Sequence, residues 1–245
     1  MRNLERLFKS VVNHIKQKDF VAAVKELEPH MSTRDVFASR ARYLLFTHKD
    51  SPYFSADNAR AELDFMHSAT DTWGMAEKGR CLMYGEFYDP NPQAAEDLFM
   101  NVIEISPKAK YFMATLHDEK MHTDESGASY GIENTALNYY EDLMDVESPY
   151  QNRASLSYCR IVMKGKLSED VRVKVFSILM RLVESGQRDA QEMLNELLID
   201  SLRESVLLKF ADKLAPEDMM GRVEFEQKHR QSLSLLESLH TILVD

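Results

Sequence analysis

Glycine and proline are scarce in this chain, at eight and seven residues of 245. Together they make up about half the usual share. A chain needing few left-handed backbone positions and few kinks is one built from helices. Strand signals are missing too: there is no Asn-Gly or Asp-Gly turn, and β-branched alternation never lasts. Nowhere do 18 uncharged apolar residues follow one another, so the sequence holds no bilayer-spanning segment. Cysteine occurs twice, as Cys81 and Cys159, each inside an apolar helical run. Such placement predicts reduced, buried thiols in a cytoplasmic protein.

Signatures of chemistry are equally thin. No G-x-S-x-G, phosphate-binding glycine loop or Cys-His nucleophile arrangement is present, and the glycines stand singly. His117 and His122 lie five apart, whereas two zinc ligands on one helix face need a spacing of four. Asp118 and His122 have that spacing but no third ligand nearby, so the stretch reads as a frayed helix end. Glu141, Asp142, Asp145 and Glu147 read as a solvated acidic face rather than an acid–base pair. The expectation is a protein that is not an enzyme and has no cofactor and no metal.

What the chain does contain is helix punctuation. Asn3 to Gln17 carries Leu4, Leu7, Phe8, Val11, Val12 and Ile15 at i, i+3, i+4 spacing. Arg6, Lys9 and Lys16 interrupt it, so it is no signal peptide, and it is expected to pack on its neighbour rather than lie on a membrane. Ser32 or Thr33 is the expected cap of the next-but-one helix. Asn91-Pro92, Ser106-Pro107 and Ser148-Pro149 each place a cap before proline, and Ser168 precedes Glu169 and Asp170. Gly85, Gly165 and Gly186 are the expected stops. The pattern predicts about twelve or thirteen helices joined by short loops: an all-α fold.

Those helices recur. Small residues at Ala23, Ala59 and Ala95 are 36 apart, followed by Ala136 after 41 and Val173 after 37. Partner helices carry Ala76, Ala109, Ala154 and Ala190, separated by 33, 45 and 36. Both long intervals span Lys120 to Gly131, and removing five to nine residues there restores a period near 36. That is a helix-turn-helix repeat spacing. Small residues fall where two helices approach closely. The fifth residue after each second-helix alanine is Cys81, Ala114, Cys159 or Asn195, which places both cysteines in a packing role.

Gly186 followed by Ala190, and Ala154 followed by Cys159 and Gly165, make the chain resemble the Sel1-like repeat family and, more broadly, tetratricopeptide-type repeats. The likeness is best over Asn134 to Leu198, looser over Asp57 to His117, and carried mainly by spacing over Asp19 to Phe46. Where the family has paired alanines late in the first helix, this chain has Met66-His67, Val102-Ile103 and Leu143-Met144. The resemblance implies a right-handed α-solenoid over residues 19–200, with an N-terminal capping helix at 1–18. It also implies a concave groove lined by first helices, whose polar candidates here are Arg60, Asp64 and His67, then Glu96 and Asn101. Residues 201–245 are expected to form a helical cap or, through a stripe of Leu233, Leu236, Leu239 and Leu243, a homodimer contact.

The net charge of −10 is uneven. Residues 117–147 hold nine acidic side chains and one basic one, while residues 148–188 hold eight basic and three acidic. Overall acidity argues against nucleic acid, which is bound by neutralising phosphate. The acidic stretch, including Asp124, Glu125, Asp142 and Asp145, is instead a candidate docking surface for a protein with a basic face. The sequence therefore predicts a cytoplasmic interaction scaffold, adaptor or regulator. The alternatives are a self-associating assembly protein or a helical enzyme with a site near His117.

Overall fold

The computed structural model describes residues 2–123, 129–165 and 167–211, with side chains over 4–118, 135–165 and 167–200. Among the described residues there are eleven α-helices and no strand. They are α1 (Arg2–Lys16), α2 (Phe20–Leu27), α3 (Val36–Thr47), α4 (Ala56–Ser68), α5 (Thr72–Tyr84) and α6 (Pro92–Met100). Then follow α7 (Pro107–Thr123), α8 (Ser129–Met144), α9 (Gln151–Val162), α10 (Glu169–Glu184) and α11 (Arg188–Ala211). The all-α expectation holds. No described helix is long and apolar enough to cross a membrane.

Helix starts follow side-chain capping chemistry. Asn91 accepts from the Ala94 amide at 3.0 Å, Ser106 from Ala109 at 3.2 Å and Ser168 from Val171 at 3.5 Å, as their positions before each helix predict. At α3 the cap is Asp35, not Ser32 or Thr33. Its carboxylate takes the amides of Phe37 and Ala38 (2.8 and 3.2 Å), while Thr33 donates back to the His30 carbonyl. Ser148 accepts from the Tyr150 amide at 3.3 Å, and Pro149 lies in that turn, ahead of the first residue of α9.

Two glycine stops are as expected. Gly85 and Gly186 sit at φ +72° and +80°, a left-handed backbone conformation that strains any residue with a side chain. Gly165 is not at positive φ, so the end of α9 does not depend on its lack of a side chain. The last described helix, α11, runs unbroken through Ala211.

The chain divides into two compact units between Ala154 and Ser155, within α9. In the first, packing is largely sequential. Helix α1 lies on α2 and α3, α3 on α4, α4 on α5, α5 on α6 and α7, and α7 on α8. Among the described residues, three apolar clusters result. One joins Leu7, Val11, Ile15, Phe20, Leu27 and Leu45; the next, Tyr43, Phe46, Leu63, Met66 and Cys81; the third, Met75, Met83, Leu98, Phe99, Phe112 and Met113. In the second unit α10 packs on α11, with Val175, Leu179, Leu182, Ala190, Leu194 and Leu197 buried.

The small residues singled out by spacing are placed where close approach needs them. Ala23, Ala59, Ala76, Ala95, Ala109, Ala136, Ala154 and Ala190 are all fully buried. Ala41 on α3, 35 residues before Ala76, joins them. Val173, the fifth first-helix position, does not: it is 65% exposed. Gly74 shows how near α4 and α5 come, because a Cβ there would lie 2.4 Å from the Met66 Cβ. Met66 Cβ is anchored to the α4 backbone and cannot swing aside. Gly74→Ala is therefore expected to destabilise the first unit by about 1–3 kcal/mol in urea unfolding. Gly186→Ala has open space around it and is expected to cost only the φ strain, about 1–2 kcal/mol.

Candidate functional site

The polar centre of the first unit is Glu77, on α5 and buried. Tyr43 of α3 donates its hydroxyl to Oε1 at 2.7 Å. Arg80 donates to the same oxygen from Nε and a terminal nitrogen, at 3.1 and 2.9 Å, and Lys108 of α7 pairs with Oε2. Burial alone pushes a carboxyl pKa up. Here the Lys108 charge and the hydrogen bonds and charge of Arg80 outweigh it, holding Glu77 at about 2. Tyr43 moves the other way, since burial and then the Glu77 charge hold it protonated as a donor.

Around this hub the aromatic rings are fixed by cations. Trp73 is half-buried, with Lys108 4.8 Å and Arg40 5.7 Å from its ring centre and Tyr43 edge-on at 5.7 Å. Arg40 also pairs with Asp71, whose Oδ2 caps α5 through the Gly74 amide at 2.8 Å. Phe87 packs edge-on to Tyr43. The other aromatic turn, Ser51 to Phe54, leaves Tyr53 and Phe54 exposed.

Both cysteines are buried. Burial, reinforced by Glu77, pushes the Cys81 thiol up to about 11, and burial pushes Cys159 up to about 12. Neither forms appreciable thiolate at neutral pH, so neither is an activated nucleophile.

The groove candidates of α4 do come together. Arg60 lies 5.0 Å from the Tyr88 ring centre, and Tyr88 donates its hydroxyl to Asp64 at 2.9 Å. Lys78 of α5 donates to Asp64 at 2.8 Å, meets His67 Nδ1 at 3.3 Å, and lies 5.4 Å from the Tyr88 ring centre. Burial raises the Asp64 pKa, but the hydrogen bonds from Lys78 and Tyr88 outweigh it and hold the carboxyl below its usual value. Arg60 and Asp64 are exposed and His67 is half-buried, so the cluster is a hydrogen-bonded polar patch at the surface.

The remaining candidates lie elsewhere. Glu96 is half-buried on α6, and exposed Asn101 ends that helix, its amide bonding to the Asp97 carbonyl. Asp142 of α8 is exposed and ion-paired with Lys110 of α7 at 3.0 Å; Asp145 is exposed just past α8. Asp124 and Glu125 lie outside the described residues. His117 stacks on Tyr139 with ring centres 6.2 Å apart. Among the described residues, no group of three His, Cys, Asp or Glu side chains is placed to hold a metal ion.

Tyr43, Glu77 and Lys108 went unnoticed in the sequence because 34 and 31 residues separate them. The available signal was position: Glu77 directly follows Ala76, Lys108 directly precedes Ala109, and Tyr43 stands two residues after Ala41. Each is a polar group beside a small residue that draws backbones together.

No family model matches the chain, and no curated protein is significantly similar to it.

The Glu77 geometry predicts the pH response. A carboxyl held at about 2 instead of the usual 4.5 contributes stability above pH 4.5 and loses it as pH falls toward 2. The limit is on the order of 3 kcal/mol. Glu77→Gln is expected to lower unfolding free energy at pH 7 and to flatten its decline below pH 4.5, measured by urea unfolding across that range.

Proposed function

We propose that the chain is a non-catalytic α-solenoid that binds another protein, working as a cytoplasmic scaffold, adaptor or regulator. The observation that carries this reading is the burial of alanine after alanine at intervals of 33 to 45 residues, with helices of the first unit packing largely in chain order. Such an arrangement suits a repeat array, in which each helix pair leans on its neighbours and presents one face to a ligand. Two buried, free cysteines suit a reducing compartment.

Two surfaces are candidates for the partner. The first is the Arg60, Asp64 and His67 patch of α4, prearranged by Lys78 and Tyr88; Glu96 on α6 and Asn101 just past its end are separate groove candidates. Its side chains are already held by their neighbours, so a partner meets them at little ordering cost. The second is the acidic stretch containing Asp124, Glu125, Asp142 and Asp145, which suits a protein with a basic face and would act on association rate.

Affinity capture from the native host separates these surfaces. A variant with all four acidic residues changed to Ala is expected to recover the partner several-fold less well at about 50 mM salt, with the difference shrinking as screening shortens the field's range. A variant carrying Arg60→Ala and Asp64→Ala is expected to lose recovery at any salt concentration. Equal recovery by both variants and the wild type would overturn the proposal.

A further inference from the structure

Beside α11 the second unit carries an open cleft of about 500 Å³ whose two sides bear opposite charge. One side is a single stripe of α11. Asp189, Glu192 and Glu196, all exposed, fall within about 60° of one another, since successive residues turn by about 100°. The other side is the end of α9. Arg160 stands on its last turn, and Lys164 follows about one turn later. There the amides of Met163 and Lys164 still bond back to the carbonyls of Cys159 and Ile161, at 2.9 and 3.1 Å. Both cations are exposed, and half-buried Met163 and Met193 complete the lining.

The charge pattern points to one occupant: we propose that the cleft between α9 and α11 takes an amphipathic helix of a partner protein. That helix carries Lys or Arg along its α11 side, Asp or Glu along its α9 side and an apolar seam on the methionines. Charge selects both signs. A segment of one sign gains from one row and is repelled by the other, so only segregated flanks gain from each. Step length selects a helix. The α11 carboxylates are three and four residues apart, about 4.5 and 6.0 Å along the axis. Partner residues at i, i+3 and i+7 of a helix lying alongside repeat those steps, whereas same-face residues of a strand recur about every 6.7 Å.

Methionine selects an apolar seam, because its unbranched chain and polarisable sulfur adapt to whichever side chain arrives. The charged rows are exposed rather than enclosed, which suits a macromolecular surface better than a small ligand in a concave apolar pocket. Direction is set as well: turning a helix end for end exchanges its flanks, so segregated charge fits one way only. The helices concerned carry Ala154 and Ala190, the partner-helix alanines, so this is not the groove expected of first helices. It also stands apart from the two surfaces proposed above, since its residues all lie in the second unit and synthetic peptides test it without the native partner.

Fluorescence anisotropy on the full-length chain at about 50 mM salt supplies the test. Two labelled, end-blocked peptides of about 18 residues share one composition and a Leu seam. In the first, Lys occupies one flank and Glu the other; in the second, the signs alternate on both flanks. The segregated peptide is expected to bind at least about tenfold tighter. Changing Glu192→Lys and Glu196→Lys together is expected to weaken it by at least about tenfold, and to strengthen binding of a third peptide with Glu on both flanks by a similar factor. If that variant loses its helical circular dichroism, Glu192→Gln with Glu196→Gln supplies the readout, with an expected weakening of severalfold. Four results would overturn the proposal. They are no binding of the segregated peptide at about 1 mM, equal affinity for the segregated and alternating peptides, unchanged affinities in the substituted chain, or peptide binding lost as the protein self-associates between about 1 and 50 μM, which would make a second copy the occupant.

Discussion

A carboxylate buried among apolar helices must be matched by charge and hydrogen bonds or it will not stay ionised. In this protein Glu77 meets that requirement by drawing one partner from α3, one from its own helix and one from α7. Much else follows. Lys108, held on Glu77, is set over Trp73; Arg40 approaches the same ring and ties down Asp71; Asp71 caps α5 and so fixes where Glu77 itself points. Tyr43 supplies the edge against which Trp73 and Phe87 pack. The loop of interactions closes on itself.

Close backbone approach makes the hub possible. Alanines at 41, 76 and 109 are fully buried, and the hub residues stand beside them. Where helices come this near, a polar side chain adjacent to the small residue can cross to the next helix without a long reach. The same closeness leaves no room for a methyl group at Gly74. Polar pairing specifies which helices meet, and small residues specify how near.

The parts legible in the sequence were those governed by local chemistry. Asn91, Ser106 and Ser168 cap because their side chains reach amides three residues on, and Gly85 and Gly186 stop helices because φ is positive there. Burial of the spaced alanines was legible too, as was the all-α class. Errors arose where local signals competed. Asp35 won the α3 cap over Ser32 and Thr33 because its carboxylate serves two amides at once. Val173 matched the spacing yet faces outward, since spacing alone does not distinguish the two apolar faces of α10. Long-range pairing was invisible: Arg60, Asp64 and His67 could be placed on one helix, but not Tyr88 and Lys78 beside them.

The candidate surface and the hub are mechanically related through α5, whose residues Glu77 and Lys78 are adjacent. Glu77 faces the buried network, while Lys78 reaches Asp64 and His67 on α4. Helix α5 thereby contributes one residue to the buried network and the next to the polar patch. Central to this is that Glu77 and Lys108 act as a coupled pair rather than as two separate contributors. A double-mutant cycle with Glu77→Gln and Lys108→Met, followed by urea unfolding at pH 7, tests that directly. Coupling of about 2–3 kcal/mol is predicted; single losses that add to within about 0.5 kcal/mol would contradict it.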